Sequence, residues 1–112
     1  MTENTKIAIF KGKKIRKTIY KNEWWFSVVD VIEALTGTDR PRKYWSDLKS
    51  KLIVEGYIEL SEKIGQLKLE STDGKMYLTD CTNTETIFRV IQTIPSPKAE
   101  PYIGLRDILM IG

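Results

Sequence analysis

Apolar and polar residues alternate along the first part of this chain with the period of two that marks a β-strand. Lys6-Ile7-Ala8-Ile9-Phe10 puts Ile7 and Ile9 on one side and Ala8 and Phe10 on the other. Lys11-Gly12-Lys13 reads as a turn, with Gly12 supplying positive φ. The next strand, Lys14 to Lys21, sets Ile15, Lys17 and Ile19 against Arg16, Thr18 and Tyr20. Asn22-Glu23 predicts a second turn, and Trp24-Trp25-Phe26 a third strand in which Trp25 points away from its two aromatic neighbours. Packing is the expected role of these rings; base stacking on Trp25 requires an exposed face.

The period then changes. Ser27 followed by Asp30 is a helix-capping signal, and Val28, Val31, Ile32 and Leu35 form an apolar stripe that Gly37 ends. Asp30 and Glu33 are expected to be solvated near the positive end of that helix. Thr38-Asp39 predicts the next cap, with Pro41 tolerated in the first turn. In the second helix Pro41, Trp45, Leu48 and Leu52 share one stripe, and Arg42, Lys43, Ser46, Lys49 and Ser50 face the other way. Two helices joined by a short Gly-containing turn have the helix-turn-helix outline.

From Ile53 to Gln66 the pattern predicts a connecting region, with Ile58, Leu60 and Ile64 as core contacts. Leu67–Glu70 and Met76–Thr79 flank Asp73-Gly74 as a β-hairpin. Thr82 with Glu85 predicts a capping box opening a helix that lines up Ile87, Val90, Ile91 and Ile94, and Pro95-Ser96-Pro97 stops it. An apolar segment from Leu105 to Ile111 follows, and Met1 to Thr5 is expected to fray. The predicted class is α+β: a small antiparallel sheet made of the N-terminal hairpin, the aromatic strand and a second hairpin at 67–79, packed with three or four helices that include the helix-turn-helix-like pair.

Composition narrows the chemistry. The 112 residues suit one domain, and no apolar run is long enough to span a membrane. With no His in the chain, Ser-His-Asp and Cys-His machinery and His-ligated zinc are excluded within it. A single Cys, Cys81, excludes an internal disulfide, fits a reducing cytoplasm and reads as a buried structural residue. Residues 1–54 carry 12 Lys/Arg against 6 Asp/Glu, a net of +6, whereas residues 55–112 carry 6 against 9, a net of −3. A basic half beside an acidic half predicts one face for a polyanion and another surface for something else.

The basic side chains of the second helix suit phosphates and guanine edges. Arg40, Arg42, Lys43, Ser46 and Lys49 are the candidate DNA contacts there, and Lys13, Lys14, Arg16 and Lys17 of the hairpin are candidate outer phosphate contacts. A solvated helix face, and an edge strand guarded by lysines, are the structural alternatives. Asp47-Leu48-Lys49 offers the carboxylate and lysine of a metal-dependent nuclease, but on a predicted helix where such a motif needs a strand. No catalytic residue, metal ligand or cofactor is predicted.

From Ile7 to Pro101 the chain resembles the N-terminal domain of the Bro family, which occurs in baculovirus repeated proteins, prophage antirepressors and a bacterial DNA-damage-inducible relative. The resemblance rests on Trp25-Phe26-Ser27-Val28-Val29-Asp30-Val31, on Arg42 to Lys49, on Lys63 to Leu67, and above all on Thr84 to Pro101. It implies an α+β fold and a non-catalytic DNA-binding domain over residues 1–101, acting in phage or viral gene control. Relatives continue into a Trp-containing helix and a C-terminal module, whereas Tyr102-Ile103-Gly104-Leu105 departs from that pattern, so residues 102–112 are expected to be a divergent or truncated segment. The expected partner is double-stranded DNA. The alternative is capture of a repressor protein through the acidic half and the apolar tail; self-association is left open.

Overall fold

The computed structural model describes residues 5–94. The expected N-terminal fraying before Thr5, the Pro95–Pro97 stop and the apolar segment 105–111 lie outside them. Among these residues the elements run β1 (Lys6–Phe10), β2 (Lys13–Tyr20), β3 (Glu23–Ser27), α1 (Val28–Thr36), α2 (Pro41–Val54), α3 (Ile58–Glu62), β4 (Gly65–Glu70), β5 (Met76–Asn83) and α4 (Thr84–Gln92).

Two tight turns fix the register of the first three strands. Phe10 pairs with Lys13 and Tyr20 with Glu23, which leaves the two-residue loops Lys11-Gly12 and Lys21-Asn22. All four loop residues have positive φ, the pattern that matches the right-handed twist of a hairpin. The second turn is therefore Lys21-Asn22 and not Asn22-Glu23, because Asn at the left-handed position lets Glu23 begin the strand.

The five strands form one antiparallel sheet in the order β1-β2-β3-β5-β4, so the fold is α+β as expected. The two hairpins join because β5 runs on to Asn83 and pairs with β3 through Trp25↔Asn83, Phe26↔Thr82 and Ser27↔Cys81. Ala8, Phe10, Ile15 and Phe26 line the principal core with Val28, Val31, Ile32, Trp45, Leu48, Leu52 and Leu60, closed by Ile87, Val90, Ile91 and Ile94. Leu69 and Cys81 are fully buried outside this cluster, on the face of the sheet that also carries Trp25. There the sheet curls, so that β4 touches β2 and the Glu70 amide donates to Thr5 Oγ1 at 3.1 Å. Trp25 is half-buried, meets Tyr20 edge-on at 5.2 Å and packs over Gly65, which removes the open ring face that base stacking requires.

Helix starts follow the expectation once and depart from it twice. Ser27 Oγ accepts from the Asp30 amide at 3.3 Å and opens α1, and Gly37 at φ 72° closes it. Before α2, the residue preceding Pro41 is kept out of the helical region, so Arg40 becomes the N-cap with no side-chain bond. Thr38 sits one step too early, and its Oγ1 accepts from the Arg40 amide instead. Before α4, the strand continues through Asn83, whose side chain accepts from the Thr86 amide at 3.0 Å. Thr82 is buried in the sheet and donates to the Lys63 carbonyl at 3.0 Å, so no Thr82/Glu85 capping box forms. The region 53–66 is not merely connecting: α2 runs to Val54 and α3 follows, with Leu60 buried, Ile64 packed on the core and Ile58 exposed.

The cap assignment is testable. Asn83→Ala removes the side-chain oxygen that accepts from the Thr86 amide in the first turn of α4 and should cost about 1 kcal/mol of stability, whereas Glu85→Gln should change it by less than about 0.5 kcal/mol, measured by urea denaturation.

Candidate nucleic-acid interface

Helix α2 is attached to the body by Trp45, Leu48 and Leu52, which turns Arg42, Lys43 and Ser46 outward. Its position along the sheet is set by one carboxylate. Asp80 of β5 accepts from Trp45 Nε1 at 2.7 Å and from Lys49 Nζ at 3.0 Å on Oδ2, and from Gln66 Nε2 at 3.3 Å on Oδ1. Burial pushes the Asp80 carboxyl up, but the donors Trp45, Lys49 and Gln66 together outweigh it and hold the group below the ordinary carboxylate range.

A second ion pair joins β2 to α1. Arg16 grips Asp30 with two prongs, Nε to Oδ2 at 2.7 Å and Nη2 to Oδ1 at 3.0 Å, while the Arg16 amide donates to Oδ2 at 2.9 Å. Nη1 reaches the Glu70 carbonyl at 3.4 Å. The hydrogen bonds that Arg16 donates to Asp30 raise the Arg16 pKa against the opposing effect of burial. Asp30 is thus a buried, paired carboxylate and not a solvated one, because β2 places a guanidinium directly over the first turn of α1.

These two pairs organise two grooves. One is lined by Lys13, Lys14, Arg16, Asp30 and Glu33 together with the Glu70–Thr72 corner. The other lies between Arg42, Trp45, Ser46 and Lys49 of α2 and the β5 segment Tyr77 to Asp80, with Arg16 and Asp73 also at its walls. They share Arg16 and Ser71, so hairpin and helix contribute to one continuous face. Lys43 is exposed and paired with Asp47 at 3.2 Å; Arg40 is exposed at the start of α2 and lines neither groove.

Lys17 is not on this face. It alternates with Arg16, is buried, and places its ammonium 4.3 Å from the centre of the Trp24 ring, where burial lowers its pKa. Asp80, Asp73, Tyr77 and Leu78 belong to the groove without having been singled out by the sequence pattern. The one available signal was the apolar run Met76-Tyr77-Leu78 at a hairpin strand.

Cys81 is fully buried and its thiol is pushed up to about 12, chiefly by burial, which makes it a packing residue. Asp47 and Lys49 point into different pairs, with Lys43 and Asp80 respectively. Among the described residues there is no group of three or more side chains able to hold a metal ion, and no helix is long and apolar enough to cross a membrane.

Fold and face together define a small α+β module whose basic helix and basic hairpin share one surface. Residues 14–105 match the N-terminal domain of the BRO family, and the chain belongs to that family. No curated protein and no solved structure matches it.

Two stability experiments follow. Asp30→Asn should cost about 3 kcal/mol, the low end for a buried pair that loses one partner, and the double replacement Arg16→Met with Asp30→Leu should recover much of it in denaturant titration. Because the folded Asp80 carboxyl is depressed, its stabilisation is complete above the unfolded value of about 3.9 and is lost as pH falls through the lower folded value. Asp80→Asn should therefore flatten the acid limb of the stability–pH profile below about pH 4.

Proposed function

We propose that this chain is a non-catalytic DNA-binding module acting in transcriptional control, of the kind found in prophage antirepressors. Its family, generally one of DNA-binding or antirepressor-type modules, supports the class of function. The observation that carries the reading is the joining of Arg42, Ser46 and Lys49 of α2 to Lys13 and Lys14 of the hairpin along grooves that share Arg16.

In this reading α2 enters the major groove and presents Arg42, Lys43, Ser46 and Lys49, with Arg40 at its start. Lys13 and Lys14 neutralise flanking phosphates, and Arg16, fixed by Asp30, offers the remaining edge of its guanidinium at the junction of the two grooves. Lys17 drops out of the contact set because its ammonium is already against Trp24. Lys49 must exchange Asp80 for a phosphate or base edge, so its contribution is a difference between two charge-assisted contacts.

Charge reversal tests this directly. Arg42→Glu with Lys49→Glu should abolish retention on random-sequence duplex DNA, while Lys21→Glu with Lys63→Glu, on the separate surface around Trp25, should leave it nearly unchanged. In the parent protein, log K against log salt should fall with a slope of about −0.9 per phosphate neutralised. Equal behaviour of the two pairs, or binding indifferent to salt, sinks the proposal and favours capture of a repressor protein through an apolar contact.

A further inference from the structure

Strand β5 runs past the strand that supports it. β3 pairs with β5 only between Trp25↔Asn83 and Ser27↔Cys81, and after Ser27 the chain turns into α1. From Met76 to Asp80, β5 is paired with β4 alone among the described strands. The β4–β5 hairpin therefore forms a two-stranded arm that stands across the groove from α2.

The arm is held at the end next to its turn. There Leu69 is fully buried, Glu70 is bonded to Thr5 through its amide, and the Glu70 carbonyl accepts from Arg16 at 3.4 Å. At its tip the Ser71 amide donates to the Lys75 carbonyl at 2.8 Å, and Asp73 accepts from the Lys75 amide at 2.8 Å and from the Tyr77 hydroxyl at 2.6 Å. This fixed arm displays three consecutive large apolar residues, Met76, Tyr77 and Leu78, at 37%, 46% and 60% exposure. From Gly65 to Asp80 it carries Lys68 and Lys75 against Glu70, Asp73 and Asp80, a net of −1, so it offers a polyanion no net attraction and presents apolar surface instead.

Resting on the reading of α2 as the DNA-facing helix, we infer that the β4–β5 arm lies in the minor groove of double-stranded DNA beside the turn occupied by α2. Met76 and Leu78 lie against sugars and base edges there, and the intervening sugar–phosphate strand occupies the cleft walled by Arg16, Arg42 and Lys49. Apolar side chains pressed against base steps are the usual device of minor-groove proteins. The two carboxylates of the cleft do not oppose this strongly. Asp73 is held by Lys75 and Tyr77, and Asp80 by Trp45, Lys49 and Gln66, so each faces protein donors.

The test uses the whole chain and a pool of random-sequence duplexes. Met76→Ser with Leu78→Ser should weaken binding about tenfold, equivalent to about 1.4 kcal/mol, with the slope of log K against log salt unchanged. Binding by the unaltered chain should also fall when the minor groove is filled with a bis-benzimidazole dye, a measurement that holds if the double variant folds poorly. If the double variant binds within twofold of the parent, or the dye has no effect, while Arg42→Glu with Lys49→Glu abolishes binding, the arm is outside the interface and the DNA reading stands. A reduced salt slope in the serine variant overturns minor-groove packing in favour of phosphate contact. If charge reversal on α2 changes nothing, the DNA reading fails and this inference with it; loss of protein-partner capture in the serine variant would then assign the arm to a protein.

Discussion

The pairing of Arg16 with Asp30 is the contact on which the rest of the face depends. It ties the middle of β2 to the first turn of α1, and through Nη1 to the end of β4, so β2 and the edge strand β4, which are not neighbours in the sheet order, are bound to one helix start. A buried fork of this kind contributes little net free energy, since desolvation offsets most of the attraction. What it supplies is geometry: the Arg side chain has one arrangement that satisfies both carboxylate oxygens, and both grooves are built around it.

Much of the architecture was legible because it depends on local signals. Ser27 and Gly37 bracket α1 in the sequence as they do in the structure, and the Trp45, Leu48, Leu52 stripe locates the buried side of α2. The failures share a cause. Thr38 and Thr82 are good cap residues by type, but a proline at the start of α2 and a strand partner for Asn83 decide which residue occupies the cap. The sequence presents Asp30 as a solvated charge and Lys17 as an outer phosphate contact because alternation gives the side of a strand or helix and not what covers it. A curled sheet and an aromatic neighbour supply that cover.

The candidate site shows the same division. Periodicity put Arg42, Lys43, Ser46 and Lys49 on the outer side of α2, and they are there, but it contained no information about the wall they face. That wall is β5, set by a register between β3 and β5 that spans a long stretch of chain. Asp80 shows what such a contact changes. The sequence presents Lys49 as a free cation, whereas the fold gives it a carboxylate partner shared with Trp45.

The basic face is consequently less basic than its lysine and arginine count suggests. Arg16 is paired with Asp30, Lys43 with Asp47 and Lys49 with Asp80, which leaves Lys13, Lys14, Arg40 and Arg42 of the named cations outside the ion pairs formed among the described residues. Those four are distributed over the hairpin and the start of α2, so long-range attraction for a polyanion acts at the two ends of the face. Its centre is lined by groups already held in place. A ligand drawn in by the ends meets fixed donors in the middle, and exchange of Asp80 for a phosphate at Lys49 is then a local swap of one anionic partner for another. On the proposed DNA-binding reading, strength and selectivity would come from different residues of one surface, the cations outside ion pairs setting the encounter and the paired ones the fit.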